Sequence, residues 1–265
     1  MINIPLNYFL IFKLDLGISG AAIASSLAEM GSLVVLCIYT RAKIDKVKYG
    51  LKPVYDGRLL IKVLNLSVWS MLHAFISVAP WFLFFVAIEH LGKTELAISN
   101  ITRSVSAIFF VIANSFAVTT GSLVSNAIGA RARNELFPIC HKVLKLGYAV
   151  GIPFVVVALL CNRWIVSFYT DNELLIELAF APFVVMLLNY TFALPGYVYL
   201  NAVGGTGKTK ITFLFQVTTT CAYLVYLYWL SFCIKASLSL YLTAEYLFVI
   251  LLALQSIIYL KSKHY

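Results

Sequence analysis

The sequence predicts an all-α protein, a polytopic bundle of membrane-spanning helices. Three observations carry that prediction. The chain is 62% hydrophobic and 12% charged, with a mean hydropathy of +0.92, whereas soluble domains carry about a quarter charged residues. Runs of about twenty apolar residues, the length that crosses a bilayer, recur at 17–39, 64–88, 96–126, 143–161, 174–203, 211–234 and 239–260. The Lys and Arg residues between these runs alternate from dense to sparse. The dense connections hold Arg41, Lys43, Lys46, Lys48, Lys52, Arg58 and Lys62; then Arg131, Arg133, Lys142 and Lys145; then Lys208 and Lys210; and last the tail, with Lys261 and Lys263. The sparse ones hold Lys13, Lys93, Arg163 and Lys235, one each. Positive charge marks the cytoplasmic side, so the dense connections and the C-terminus are expected in the cytoplasm, in a multi-pass plasma (inner) membrane protein. The net charge of +9 is then a topology signal whose partner is the lipid bilayer, with no nucleic acid called for.

Taken in order, Met1–Phe12 is apolar but too short to span, and it lacks the positive start and cleavage site of a signal peptide. It reads as part of a helix, and hence the chain as a fragment or a start codon placed too late. The run 17–39 carries Gly17, Ala21, Ala24, Ala28 and Gly31 at helical spacing, a face on which another helix can approach closely. Near its middle stands Glu29, with Ser25, Ser26 and Ser32 one turn away. A carboxylate at mid-bilayer costs about 2.5 kcal/mol or more when charged, which makes it a functional candidate; the alternative is a protonated side chain bonded to a neighbouring helix. The connection 40–62 is the longest and most charged, as a boundary between lobes would be.

The run 64–88 places Ser70, His73 and Ser77 on one stripe ahead of Pro80, which should kink it. His73 is either a group that titrates near neutral pH or a satisfied neutral hydrogen-bonder. The stretch from Leu91 to Arg133 is the longest helix expected, roughly 45 Å by helical rise. On it Arg103, Asn114, Gly121 and Ser125 fall within about 40° of one another. Such a stripe should face other helices or a water-filled cavity, because lipid cannot satisfy polar groups. Arg103 would lie about 10 Å deep, lining that cavity or reaching back to the outer interface. Further on, Pro153 should bend the run 143–161, and Trp164, Phe168 and Tyr169 suit an outer interfacial belt. The run 174–203 has Asn189, Tyr190 and Thr191 between Pro182 and Pro195, a kinked span with a polar middle that suits a cavity wall. The last two runs read as packing helices, with Glu245 near the outer end of the second.

Two patterns are decoys. Ala202–Thr209 (AVGGTGKT) fits a permissive phosphate-loop pattern, yet that chemistry needs a strand before the loop and an acid for magnesium. Between two membrane spans it is a cytoplasmic turn, and no enzyme activity is expected. Cys37, Cys140, Cys161, Cys221 and Cys233 show no paired spacing. They read as packing residues, with no metal site or disulfide framework.

Four segments resemble the MATE family of multidrug and toxin extrusion transporters. GISGAAIAS (Gly17–Ser25) is similar to the opening of the family's sixth helix. HLGKTELAISNI (His90–Ile101) and GSLVSNAIGAR (Gly121–Arg131) resemble the start and end of its eighth, and AVGGTGKTK (Ala202–Lys210) the turn after its tenth. The resemblance implies twelve helices in two six-helix lobes around a central cavity. Residues 1–39 would then be the end of the first lobe, 40–62 the basic inter-lobe linker and 63–265 the complete second lobe, joined in life by the missing N-terminal helices or a companion chain. It implies an antiporter that exports amphipathic or cationic drug-like compounds for protons or sodium ions, with no cofactor beyond that ion. Relatives with a second-lobe cation site carry acids where this chain has Ser77 and Ala193, which puts that site in doubt. The candidates for the substrate or ion pathway are Glu29, His73, Ser77, Arg103, Asn114, Asn189 and Tyr190. The alternatives are a flippase of lipid-linked sugars, a non-transporting relic and a seven-helix receptor; the last span has no Lys for a retinal Schiff base.

Overall fold

In the lipid core every backbone N–H and C=O must be paired within the chain, so apolar runs of this length fold as helices. A computed structural model describes residues 3–45, 55–234 and 236–262. Among them seven helical stretches are long and apolar enough to cross a membrane, and each contains one of the expected runs or nearly all of it. The chain divides into two compact units, Met1–Arg58 and Leu59–Tyr265.

In the first unit, α1 (Asn3–Tyr8) widens into a turn at Phe9–Lys13 and is followed by α2 (Gly17–Lys43). The reversal is made by Asp15 and Gly17 at φ +50° and +52°. Of the small residues on α2, Ala24 and Gly20 are the buried ones. A Cβ on Gly20 would stand 2.8 Å from the Leu10 carbonyl oxygen, so the close approach is made by Gly20, next to Ala21, with Ala24 of the expected face buried one turn further on.

The second unit begins with α3 (Gly57–Ile88), whose Pro80 is buried within the helix. Helices α2 and α3 both run into the 40–62 connection, as far as Lys43 from one side and from Gly57 on the other. Lys46, Lys48 and Lys52 of that connection lie outside the described residues. A short turn, Glu89–Leu91, leads to Gly92 at φ +122°, a conformation open to glycine, and then to α4 (Lys93–Gly129). Next come α5 (Leu136–Leu160) and the short α6 (Asn162–Ser167).

The run 174–203 is two helices, α7 (Glu173–Leu188) and α8 (Tyr190–Gly205), broken at Asn189. Pro195 explains why the second helix starts loosely. Without an N–H it leaves the Thr191 carbonyl unpaired, and the Tyr148 hydroxyl of α5 donates to that oxygen at 2.7 Å. The chain closes with α9 (Thr209–Trp229), a wide turn at Leu230–Ile234, and α10 (Leu238–Lys261).

Helices α4, α8 and α10 form the centre of this unit, and glycines set their spacing. A Cβ on Gly205 would stand 2.5 Å from the Gly121 carbonyl, and one on Gly196 2.7 Å from the Val249 carbonyl. On the other side, Tyr190 lies over Gly151 and donates to the Gly147 carbonyl at 2.8 Å. Many large apolar side chains remain exposed on α3, Phe75, Phe82 and Val86 among them, as a surface facing lipid or another apolar body requires. The glycine-rich turn has two jobs: Gly207, at φ +81°, makes the turn, and Gly205 still belongs to α8 and serves the contact with α4.

Candidate functional site

The second unit holds a cavity of about 370 Å³ between α3, α4, α7, α8 and α10. Pro80 and the break at Asn189 are both on its wall, which is where interrupted helices line cavities in membranes. Its surface is largely aromatic, with Trp81, Phe109, Phe110, Tyr190, Tyr197 and Phe248. Four sequence candidates meet there: Ser77, Arg103, Asn189 and Tyr190. Ala193, the second position compared for a cation site, is there too. The Ser77 hydroxyl donates back to the Ala74 carbonyl at 2.7 Å, and the Asn189 side-chain oxygen is buried without a protein partner.

Arg103 is 3% exposed, and its Nη1 donates to Oε1 of Glu245 at 3.1 Å. The same carboxylate oxygen accepts from the Tyr223 hydroxyl at 3.3 Å. The guanidinium lies over the ring of Phe84 at 4.4 Å, with Trp81 at 5.4 Å and Phe85 at 5.5 Å. Two charges can leave water together only if they neutralise and hydrogen-bond one another. Aromatic faces add attraction for the cation, more so when it is desolvated. Its Nε has no protein partner.

Two of these residues correct the sequence reading: helices α9 and α10, taken for packing, supply Tyr223 and Glu245, and α3 supplies the aromatic cover. Of the two placements open to Arg103, it takes the one on the cavity wall. The signal was depth: Arg103 and Glu245 both stand a few turns inside the outer ends of helices expected to run inward.

His73 lies apart from this group. It lines a second cavity of about 340 Å³ with Ser70, Ser122, Ser125, Asn201 and Thr209 among others, and its Nε2 is buried without a protein partner. Three helices carry both cavities and pass from one to the other in about a turn. On α3 these are Ser77 and His73, on α4 Ala113 and Val118, on α8 Tyr197 and Leu200. By helical rise the separations are roughly 5–8 Å, and Ala117, on α4 between Ala113 and Val118, is fully buried.

The remaining candidates fall elsewhere. Asn114 is exposed on α4 and lines neither cavity, so the polar stripe of α4 is interrupted. Its ends are engaged, Arg103 with Glu245 and Ser125 with the Gly205 carbonyl at 2.9 Å. Glu29 is exposed on α2 of the first unit. Among the described residues no three His, Cys, Asp or Glu side chains gather as a metal site would need.

Known proteins share this fold. The chain superimposes on an outward-facing multidrug resistance MATE family transporter of the MOP superfamily with a TM-score of 0.86 over 99% of its length and 59% of that protein's, at 18% identity. A MOP superfamily transporter from Pyrococcus furiosus, described as having a binding pocket of reverse polarity, matches with a TM-score of 0.82 over 98% of this chain and 60% of its own, at 16% identity. Likenesses at such identities establish the fold. Among curated relatives, Protein DETOXIFICATION 48 of Arabidopsis thaliana is 26% identical over 66% of this chain and 34% of its own length. Multidrug and toxin extrusion protein 1 of Oryctolagus cuniculus is 23% identical over 67% of this chain and 32% of its own. The chain thus spans about a third of the length of these curated relatives. The MatE family pattern matches residues 70–229, from the stripe of α3 through the break at Asn189 to the end of α9, and on that match the chain belongs to the MatE family.

Proposed function

We propose that the second unit is a lobe of a secondary antiporter that exports amphipathic or cationic drug-like compounds from the cytoplasm in exchange for protons or sodium ions. One observation carries this reading: an aromatic cavity between broken and kinked helices, with a buried ion pair on its wall. Such a surface suits flat apolar molecules of varied shape, because rings offer area and adaptable contacts with few directional demands. The names of the relatives point to toxin extrusion, and the family to a membrane transporter. Alternating access needs a facing lobe, so this unit works against partner helices, in the plasma membrane with its C-terminus in the cytoplasm.

A flippase of lipid-linked sugars would share the plan, but a pyrophosphate calls for several unpaired cations. The cavity wall offers Arg103, already matched by Glu245.

The test is ethidium accumulation in cells stripped of their own drug pumps and expressing the complete reading frame. Lower accumulation than in vector-only cells, restored to the control level by an uncoupler, is the expected result. Equal accumulation in both would sink the reading.

A further inference from the structure

We infer that Glu245 is the coupling-ion site of this unit, that its ion is the proton, and that Arg103 is a built-in cation standing where a metal ion would otherwise bind. A metal cation binds through several oxygens gathered on one point. Here Oε1 of Glu245, a residue of the cavity wall, already takes Nη1 of Arg103 at 3.1 Å and the Tyr223 hydroxyl at 3.3 Å. Ser77 and Ala193 bring no further acid to the cavity. Among the described residues no cluster of three acids, histidines or cysteines exists to complete a metal shell. A second positive ion would also lie within reach of a guanidinium that cannot give up its own charge.

A proton meets none of these obstacles. It binds covalently to one carboxylate oxygen and competes there with the guanidinium, needing no shell of its own. Its arrival converts a neutral pair into a single buried positive charge among Trp81, Phe84 and Phe85. That state favours any arrangement in which Arg103 reaches water or an anion. By linkage, an arrangement that parts the pair favours uptake of the proton. The carboxylate is thus a proton site and the guanidinium its return spring. The groups facing Glu245 are Arg103 from α4, Tyr223 from α9 and Tyr197 from α8; Met186 of α7 and Asn189 at the break after it line the same cavity, and neither titrates. One turn away on α10, Tyr241 lies 3.5 Å from the imidazole of His90, which therefore serves as the control.

The role in coupling rests on the antiport reading; the ion preference of the site does not. Trp81 is a native reporter, since its ring lies 5.4 Å from the guanidinium. In lipid nanodiscs, emission of the wild-type protein should change on acidification and stay flat when sodium replaces choline at constant pH and ionic strength. Trp81→Phe identifies the part of the signal that belongs to this ring. Glu245→Gln should abolish the pH response, and His90→Gln should leave it intact. A Trp81 response to sodium would overturn the inference, as would a Glu245→Gln protein that titrates like the wild type. The sodium arm uses the unmodified chain, so it decides the matter even if Glu245→Gln does not fold. Ethidium efflux separates the two claims: efflux absent with this titration intact removes the antiport reading alone, and efflux present with no titration removes the proton site alone.

Discussion

Arg103 is legible in the sequence as an anomaly, a permanent charge in an apolar run, and its surroundings decide what the anomaly means. Its partner stands 142 residues away, beyond the reach of any spacing rule, and the aromatic cover comes from a third helix. Removing one member of such a pair strands the other. Arg103→Met is therefore expected to destabilise the protein by about 3–5 kcal/mol. Adding Glu245→Leu should recover most of that loss, since two apolar side chains can replace a buried pair at little cost. Thermal unfolding of the two single variants and the double in the same detergent gives the coupling directly, and additive losses would mean that the pair is not a unit. Asn114 shows the opposite failure. Its position on the wheel matches that of Arg103, yet it is exposed while Ala113 and Ala117 beside it are fully buried. Periodicity says which residues share a face, and neighbours determine whether anything covers that face.

At the scale of elements the sequence does better, because the bilayer enforces length and the backbone has few ways to comply. All seven spans were legible, and so was the role of proline in bending them. The break at Asn189 was not: two prolines in one run suggest kinks, and it takes the Tyr148 hydroxyl, from another helix, to make a frayed start at Tyr190 tolerable. The glycine-rich turn was half legible. Gly207 follows from turn chemistry, whereas the need for Gly205 arises only when α4 lies against it. Gly205→Ala should accordingly lower the melting temperature by several degrees, because backbone has to move away from the new methyl. Gly129→Ala, with no atom within 4 Å of its Cβ position, should be neutral or stabilising by up to about 1 kcal/mol. Similar shifts for both variants would show that the α4–α8 contact does not set the spacing.

At the scale of the whole molecule, charge decides orientation. The turn between α8 and α9 carries Lys208 and Lys210 and is expected on the cytoplasmic side by the rule that predicts the same for the C-terminus. In a background without the native cysteines, Thr206→Cys should react with an impermeant maleimide in inside-out vesicles and not in right-side-out ones. Labelling with the opposite sidedness would invert the expected topology.

The short passage from one cavity to the other has an electrical meaning. Were each cavity filled with water from its own face, most of the membrane potential would fall across this separation of roughly 5–8 Å and little across the rest of a bilayer about 30 Å thick. A monovalent ion moved across it would then feel close to the full driving force, about 2.3 kcal/mol per 100 mV. A rearrangement of a single helical turn would be enough to harvest it.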